Sequence, residues 1–165
     1  MELNIAQAFG LLSFALGIYT FLQKNDRRLK LSMLCLFSCQ SIHFFLMGYP
    51  NAAAANILNF FRAFISIKFN TPWLGGIFIL ANIVWGIYLY ESIVSVLPII
   101  GACCGTYAVF FLDNIKMRVA FIIGALCWIT HNFIVGSVGG ILLETIVILA
   151  NTITIIRIHI SAIKQ

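Results

Sequence analysis

Lys24-Asn25-Asp26-Arg27-Arg28-Leu29-Lys30 and, 88 positions on, Leu112-Asp113-Asn114-Ile115-Lys116-Met117-Arg118 are the two polar breaks whose reading decides the fold. Each is a short basic turn set between long apolar runs. Working outward, the apolar runs fall at about 4–23, 30–48, 52–69, 73–90, 92–112, 117–136 and 139–160. Each approaches the roughly 20 residues that a helix needs to cross a bilayer. The separators are turn sequences: Gly48-Tyr49-Pro50-Asn51, with Asn51 expected to cap the third helix; Asn70-Thr71-Pro72, a cap followed by a first-turn proline; and Gly136-Ser137-Val138-Gly139-Gly140. The expected fold is an all-α integral membrane protein of seven transmembrane helices, joined by connections too short for anything but antiparallel neighbours.

Seven crossings sort the charges. Lys24, Arg27, Arg28, Lys30, Lys68, Lys116, Arg118, Arg157 and Lys164 lie on one side, and Arg62, within the third span, lies nearer that side; the other side carries Glu2 and Glu91. Basic loops resist translocation, so the N-terminus is expected outside and the C-terminus in the cytoplasm. Any even number of spans would break this sorting. With 62% hydrophobic and 9% charged residues and a mean hydropathy of +1.04, the chain is excluded from the soluble class, which carries about a quarter of its residues as charges. The net charge of +5 sits in membrane-flanking turns and does not indicate nucleic acid. The acidic N-terminus lacks the basic start of a signal peptide, so the first apolar run is expected to remain as a helix. Cys35, Cys39, Cys103, Cys104 and Cys127 all fall within spans, without metal-site spacing, and read as packing residues.

The 88-residue spacing extends beyond the basic turns. Gly17 meets Gly105, Tyr19 meets Tyr107, Cys39 meets Cys127, and the string His-x-Phe-x-x-Gly recurs as His43 to Gly48 and His131 to Gly136. The chain thus reads as a single transmembrane domain over 1–165, with a first three-helix repeat at 4–69, a linker helix at 70–91 and a second repeat at 92–160. Three helices reverse the orientation, so two triplets lie parallel only if one further crossing separates them.

This 3-1-3 layout resembles the SWEET and PQ-loop superfamily and the related vitamin-precursor carriers. The length, short loops and paired His-x-Phe-x-x-Gly strings resemble the YgjV-type bacterial inner-membrane proteins over nearly the whole chain, which implies a multi-pass inner-membrane location rather than an activity. The Pro-Gln pair of the sugar carriers is absent. Pro98 lies near the place of their hinge proline, but its repeat mate is Gly10. Their pocket asparagine in the third helix of each triplet is matched only in helix and approximate depth, by Asn56 and Asn59 and by Glu144 and Asn151.

Polar groups inside hydrocarbon are costly unless they face partners or water. Asn56 and Asn59 share one helix face, Glu144 and Asn151 another, and the shift places Asn56 on Glu144. A solute cleft between the triplets is expected at Asn56, Asn59, Arg62, Glu144 and Asn151; the plainer alternative is that these groups join helices. Arg62 lies about 15 Å along its helix from the outer end, and its side chain leans outward, away from the nearer headgroups. Glu144 is the one intramembrane acid, so a direct or water-bridged Arg62–Glu144 contact is expected, against a snorkelling anchor. His43 and His131 are candidates for gates or proton-sensing groups, for haem ligands, or for ordinary hydrogen-bonded histidines. Trp73 fits the interfacial belt, and Trp85 with Asn82 is a candidate pocket wall, with packing the plainer reading.

Hydrolase and phosphate-loop signatures are absent, and neither an enzyme nor a bound cofactor or metal is expected. The expected function is a transporter or binder of a small polar solute, in which two triplets rock to give alternating access. The alternatives are a non-transporting scaffold or accessory subunit and a haem or quinone redox subunit. The expected partners are the lipid bilayer, an unspecified small polar solute and, as a candidate, a second copy of the chain.

Overall fold

The computed structural model describes residues 5–22, 26–69 and 71–163. Lys24, Asn25, Asn70 and Lys164, and the side chain of Arg27, lie outside the described residues. Within them the chain forms seven helices: α1 (Ile5–Leu22), α2 (Asp26–Leu46), α3 (Pro50–Ser66), α4 (Pro72–Tyr88), α5 (Ile93–Phe111), α6 (Asn114–Val135) and α7 (Val138–Ile163). By length and composition alone, α5, α6 and residues Val138–Ile160 of α7 suffice to cross a membrane. Ile5–Thr20, Lys30–Leu46 and Pro72–Tyr88 are shorter apolar helices. α3 and α4, with 17 residues each, reach about 26 Å. That is slightly less than a hydrocarbon layer of about 30 Å.

The expected boundaries hold to within a few residues because the punctuation acts as its chemistry dictates. Gly48 and Gly136 take left-handed φ values of 80° and 73°, which side chains on Cβ disfavour. At each, the amide beyond the glycine reaches back to the helix: Tyr49 N–H to Phe44 O at 2.9 Å, and Ser137 N–H to Asn132 O at 2.9 Å. These are matching Schellman-type ends, 88 residues apart. Pro50 and Pro72 occupy first-turn positions in α3 and α4. Asn51 does not cap α3: Tyr49 holds the cap position, and the Asn51 amide instead donates across to Leu89 O at the end of α4.

Six helices close a ring. α1 packs on α2, α2 on α3, α3 on α5, α5 on α6, α6 on α7 and α7 on α1, while α4 lies outside against α5 and α3. The interior is polar and small, the exterior apolar. Asn51, Asn56, Asn59, Ser66 and four alanines of α3 are buried, whereas Ile57, Phe61 and Phe64 on its other face are exposed. Such inversion follows when the surroundings are hydrocarbon, because lipid tails solvate Phe and Ile but not amides.

Close backbone approach depends on glycine at two crossings. A Cβ on Gly139 would sit 2.1 Å from Gly10 C, which joins α1 to α7, and one on Gly124 would sit 3.0 Å from Gly101 O, between α5 and α6. Gly10 is also covered by the His43 ring, 2.9 Å from a Cβ placed there. Gly139→Ala should therefore part α1 from α7 and cost about 2 kcal/mol or more, read as a lower melting temperature in detergent. Gly76→Ala, which meets nothing within 4 Å, should leave the melting temperature unchanged or raise it.

Candidate functional site

A cavity of about 340 Å³ lies within the ring, with lining residues from all six ring helices. Its charged lining comprises Lys30 of α2, Arg62 of α3, Arg118 of α6 and Glu144 of α7. Asn59 and Asn151 line it as well, beside Thr20 and the Trp128 indole. A smaller cavity of about 50 Å³ adjoins it, sharing Asn59, Trp128, Leu143 and Glu144 and adding Gln40, Phe44, Asn56 and Asn132. All five residues expected at a cleft therefore face one connected region. A larger groove of about 680 Å³ runs over the outer surface between α4, α5 and α6, but its lining is almost wholly apolar, with Lys116 its one charge. It suits lipid chains, and the chemistry lies inside the ring.

The cavity side chains are held by local bonds. Thr106 Oγ1 donates to Ala102 O at 2.8 Å and accepts from Arg62 Nη1 at 3.0 Å. Gly105 makes room for the guanidinium: a Cβ there would lie 3.3 Å from Nη1. Arg118 Nη1 donates to Asn151 Oδ1 at 3.3 Å, while Asn151 Nδ2 bonds Val147 O at 2.8 Å. Lys30 Nζ donates to Ser66 O at the end of α3. Asn56 Nδ2 bonds back to Ala52 O at 2.9 Å.

The expected direct Arg62–Glu144 contact is not formed. Among the described residues no ion pair joins them; Arg62 is held by a hydroxyl, and the Glu144 carboxyl meets the cavity without a protein hydrogen bond. The neutral Thr106 hydroxyl satisfies one guanidinium N–H without the desolvation that a second buried charge would bring.

The two histidines diverge. His43 is fully buried, and its Nδ1–H donates to Ala6 O at 2.6 Å in the tautomer where Nε2 accepts from Ser137 Oγ, also at 2.6 Å. Ser137 Oγ in turn accepts from Gly140 N–H at 3.2 Å, at the start of α7. His43 thus ties α1 and α2 to α7 with both nitrogens engaged, which leaves no lone pair for haem iron. His131 is buried against Phe44, Tyr49 and Trp128, with ring centroids at 5.5, 5.7 and 6.1 Å. The partners themselves are spaced by 88: His43 bonds residue 137 and His131 packs on residue 49. Phe45 and Phe133 do not pack these turns; they are 73% and 77% exposed and face outward. Asn82 is buried, with its amide on Phe78 O, whereas Trp85 is 45% exposed and meets the Tyr88 ring edge to face. The cysteines are free thiols, with Cys35 exposed.

Sequence reasoning missed Gln40 and Thr20, whose buried Oε1 and Oγ1 have no partner, and Asn132; all three line the cavities. The cost of intramembrane polar groups, applied to every Gln and Thr, is the signal that would have found them. Lys30 and Arg118 were assigned to topology alone, although their pairing under the 88-residue shift marked them.

The fold defines a multi-helix membrane protein with a central cavity that carries charged and amide side chains. The sequence pattern of the Imp-YgjV family, described as "Bacterial inner membrane protein", matches residues 4–162, and the chain belongs to that family. It is 35% identical over 153 residues to "Inner membrane protein YgjV" of Escherichia coli (strain K12), covering 93% of this chain and 84% of the relative. No solved structure matches. The protein is a multi-pass protein of the bacterial inner membrane.

The bonding pattern predicts unequal couplings in double-mutant cycles of thermal stability. Arg62→Gln with Thr106→Val should be non-additive by about 0.5–1.5 kcal/mol, and Arg62→Gln with Glu144→Gln should be nearer additive.

Proposed function

We propose that this protein is a carrier of a small polar solute, not an enzyme, and that the solute occupies the central cavity. The observation that carries the reading is that six helices close around a cavity to which all contribute, with charged and amide side chains set into an otherwise largely apolar wall. In this reading all seven helices cross the membrane as two parallel triplets joined by α4, with the N-terminus outside. The contacts support a pseudo-twofold arrangement, since α3 on α5 is the counterpart of α7 on α1 when α1–α3 are overlaid on α5–α7. So do the matched helix ends at Gly48 and Gly136 and the reciprocal partners of His43 and His131.

Mechanism follows from the two ends of the cavity. Lys30, Arg118 and Ser66 sit at the basic end, where α2 and α6 begin and α3 finishes. Beyond the amide layer, Phe44, Trp128, His131 and Tyr49 pack together in tilted and edge-to-face contacts, and His43 binds α1 and α2 to α7. We assign the basic end to the cytoplasm by the positive-inside rule. The present state is then inward-facing, closed outside by the histidine and aromatic layer. Rocking of one triplet against the other would break the contacts of α1 with α7 and of α3 with α5 unequally and open the outer side. Glu144, whose carboxyl faces the solute region, is the candidate for coupling that motion to protons.

Accessibility tests this without knowledge of the solute. In a background lacking native cysteines, Asn59→Cys should react with a membrane-impermeant maleimide in inside-out vesicles and far more slowly from the outside. Phe133→Cys, on the lipid face, should react from neither side. An unreactive Asn59→Cys in both vesicle types would favour a scaffold whose polar residues only join helices.

A further inference from the structure

The charges on the cavity wall are unbalanced. Lys30, Arg62 and Arg118 face one space together with one acid, Glu144, and each cation is held by a neutral group: Ser66 O, Thr106 Oγ1 and Asn151 Oδ1. No ion pair joins any of them to Glu144 among the described residues. An Arg in a low-dielectric interior is normally matched by an anion, because an uncompensated buried charge is costly. A guanidinium presents five N–H donors in a fork that fits carboxylate or phosphate oxygens. One donor of Arg62 is engaged by Thr106, and this bond, with the space left by Gly105, fixes where the guanidinium stands. The site is therefore preorganised for an acid group.

The other end of the same region has different chemistry. Gln40 and Asn59 bring buried amide oxygens without partners, and Glu144 lines both cavities. Amide and carboxylate oxygens accept hydrogen bonds, so they suit a hydroxyl or amine. The volume of about 340 Å³ equals that of about eleven waters, which limits the occupant to a small metabolite.

Resting on the reading of this cavity as a solute site, we propose that the solute is a small organic anion. Its carboxylate or phosphate is bound by Arg62, Arg118 and Lys30, and a hydroxyl or amino group on it faces Glu144, Asn59 and Gln40. A lipid phosphate reaching in from the cytoplasmic leaflet offers the same acid chemistry, so the test separates the two sources.

The experiment is thermal stabilisation of the full chain in phosphatidylcholine nanodiscs at constant ionic strength, with sodium chloride as the reference. The probes are lactate and glycerol 3-phosphate, each beside its uncharged analogue, lactamide and glycerol. Stabilisation by either anion beyond its analogue is expected, with apparent affinity on the order of tenfold weaker in Arg62→Gln and in Arg118→Gln. Lys30→Gln provides a further variant if Arg62→Gln does not fold, and Lys116→Gln, on the outer groove, should retain the affinity. Stabilisation by the uncharged analogues to the same degree, retained in the arginine variants, would overturn the anion class while leaving the solute site standing. Stabilisation only on adding phosphatidylglycerol to the nanodiscs, lost in the same variants, would overturn the soluble solute in favour of a lipid headgroup. No stabilisation by any probe, charged or uncharged, would overturn the proposal and count against the solute site itself.

Discussion

The cost of placing a polar group in hydrocarbon governs this molecule. Every buried amide, hydroxyl and imidazole must face protein or a shared cavity, because lipid offers no hydrogen bond. The chain responds by turning its polarity inward. α3 shows this most plainly: its asparagines and alanines line the bundle while Ile57, Phe61 and Phe64 meet the surroundings. The small residues that permit close helix approach also bring the polar groups of different helices within reach of one another. Gly10 against Gly139 and Gly101 against Gly124 set the ring's width, and the cavity is what remains along its centre.

Within that ring, neutral partners do most of the anchoring. Thr106 holds Arg62, Asn151 holds Arg118, and the Ser66 carbonyl holds Lys30. Such bonds orient a charge without cancelling it, so three cations keep their full field toward the cavity.

Much of the fold was legible because its signals are local. Gly48, Pro50, Pro72 and Gly136 act on the backbone within a turn, so helix ends could be read from short strings. The cleft residues were legible for a similar reason: an Asn, Arg or Glu in an apolar run has few physical explanations. What failed were inferences about partners. Asn51 has the chemistry of a cap, but its amide is spent on Leu89 O, 38 residues away. Arg62 was expected to meet Glu144 directly or through water, and its direct partner is instead the Thr106 hydroxyl. Lys30 and Arg118 served as topology markers, yet their long stems let the same charges turn into the cavity. Sequence spacing gives the face of a helix, and only the packing of six helices decides what that face meets.

Distance measurement between the two triplets tests the central claim most directly. Spin labels at Phe45 and Phe133, repeat mates exposed on opposite triplets near the histidine end, would be followed by pulsed electron resonance in nanodiscs. Alternating access predicts two distance populations at that end, with their ratio shifted by pH or by a bound organic anion. A single narrow distance, unmoved by pH and by every anion that stabilises the protein, would contradict a rocking carrier and leave a rigid membrane scaffold.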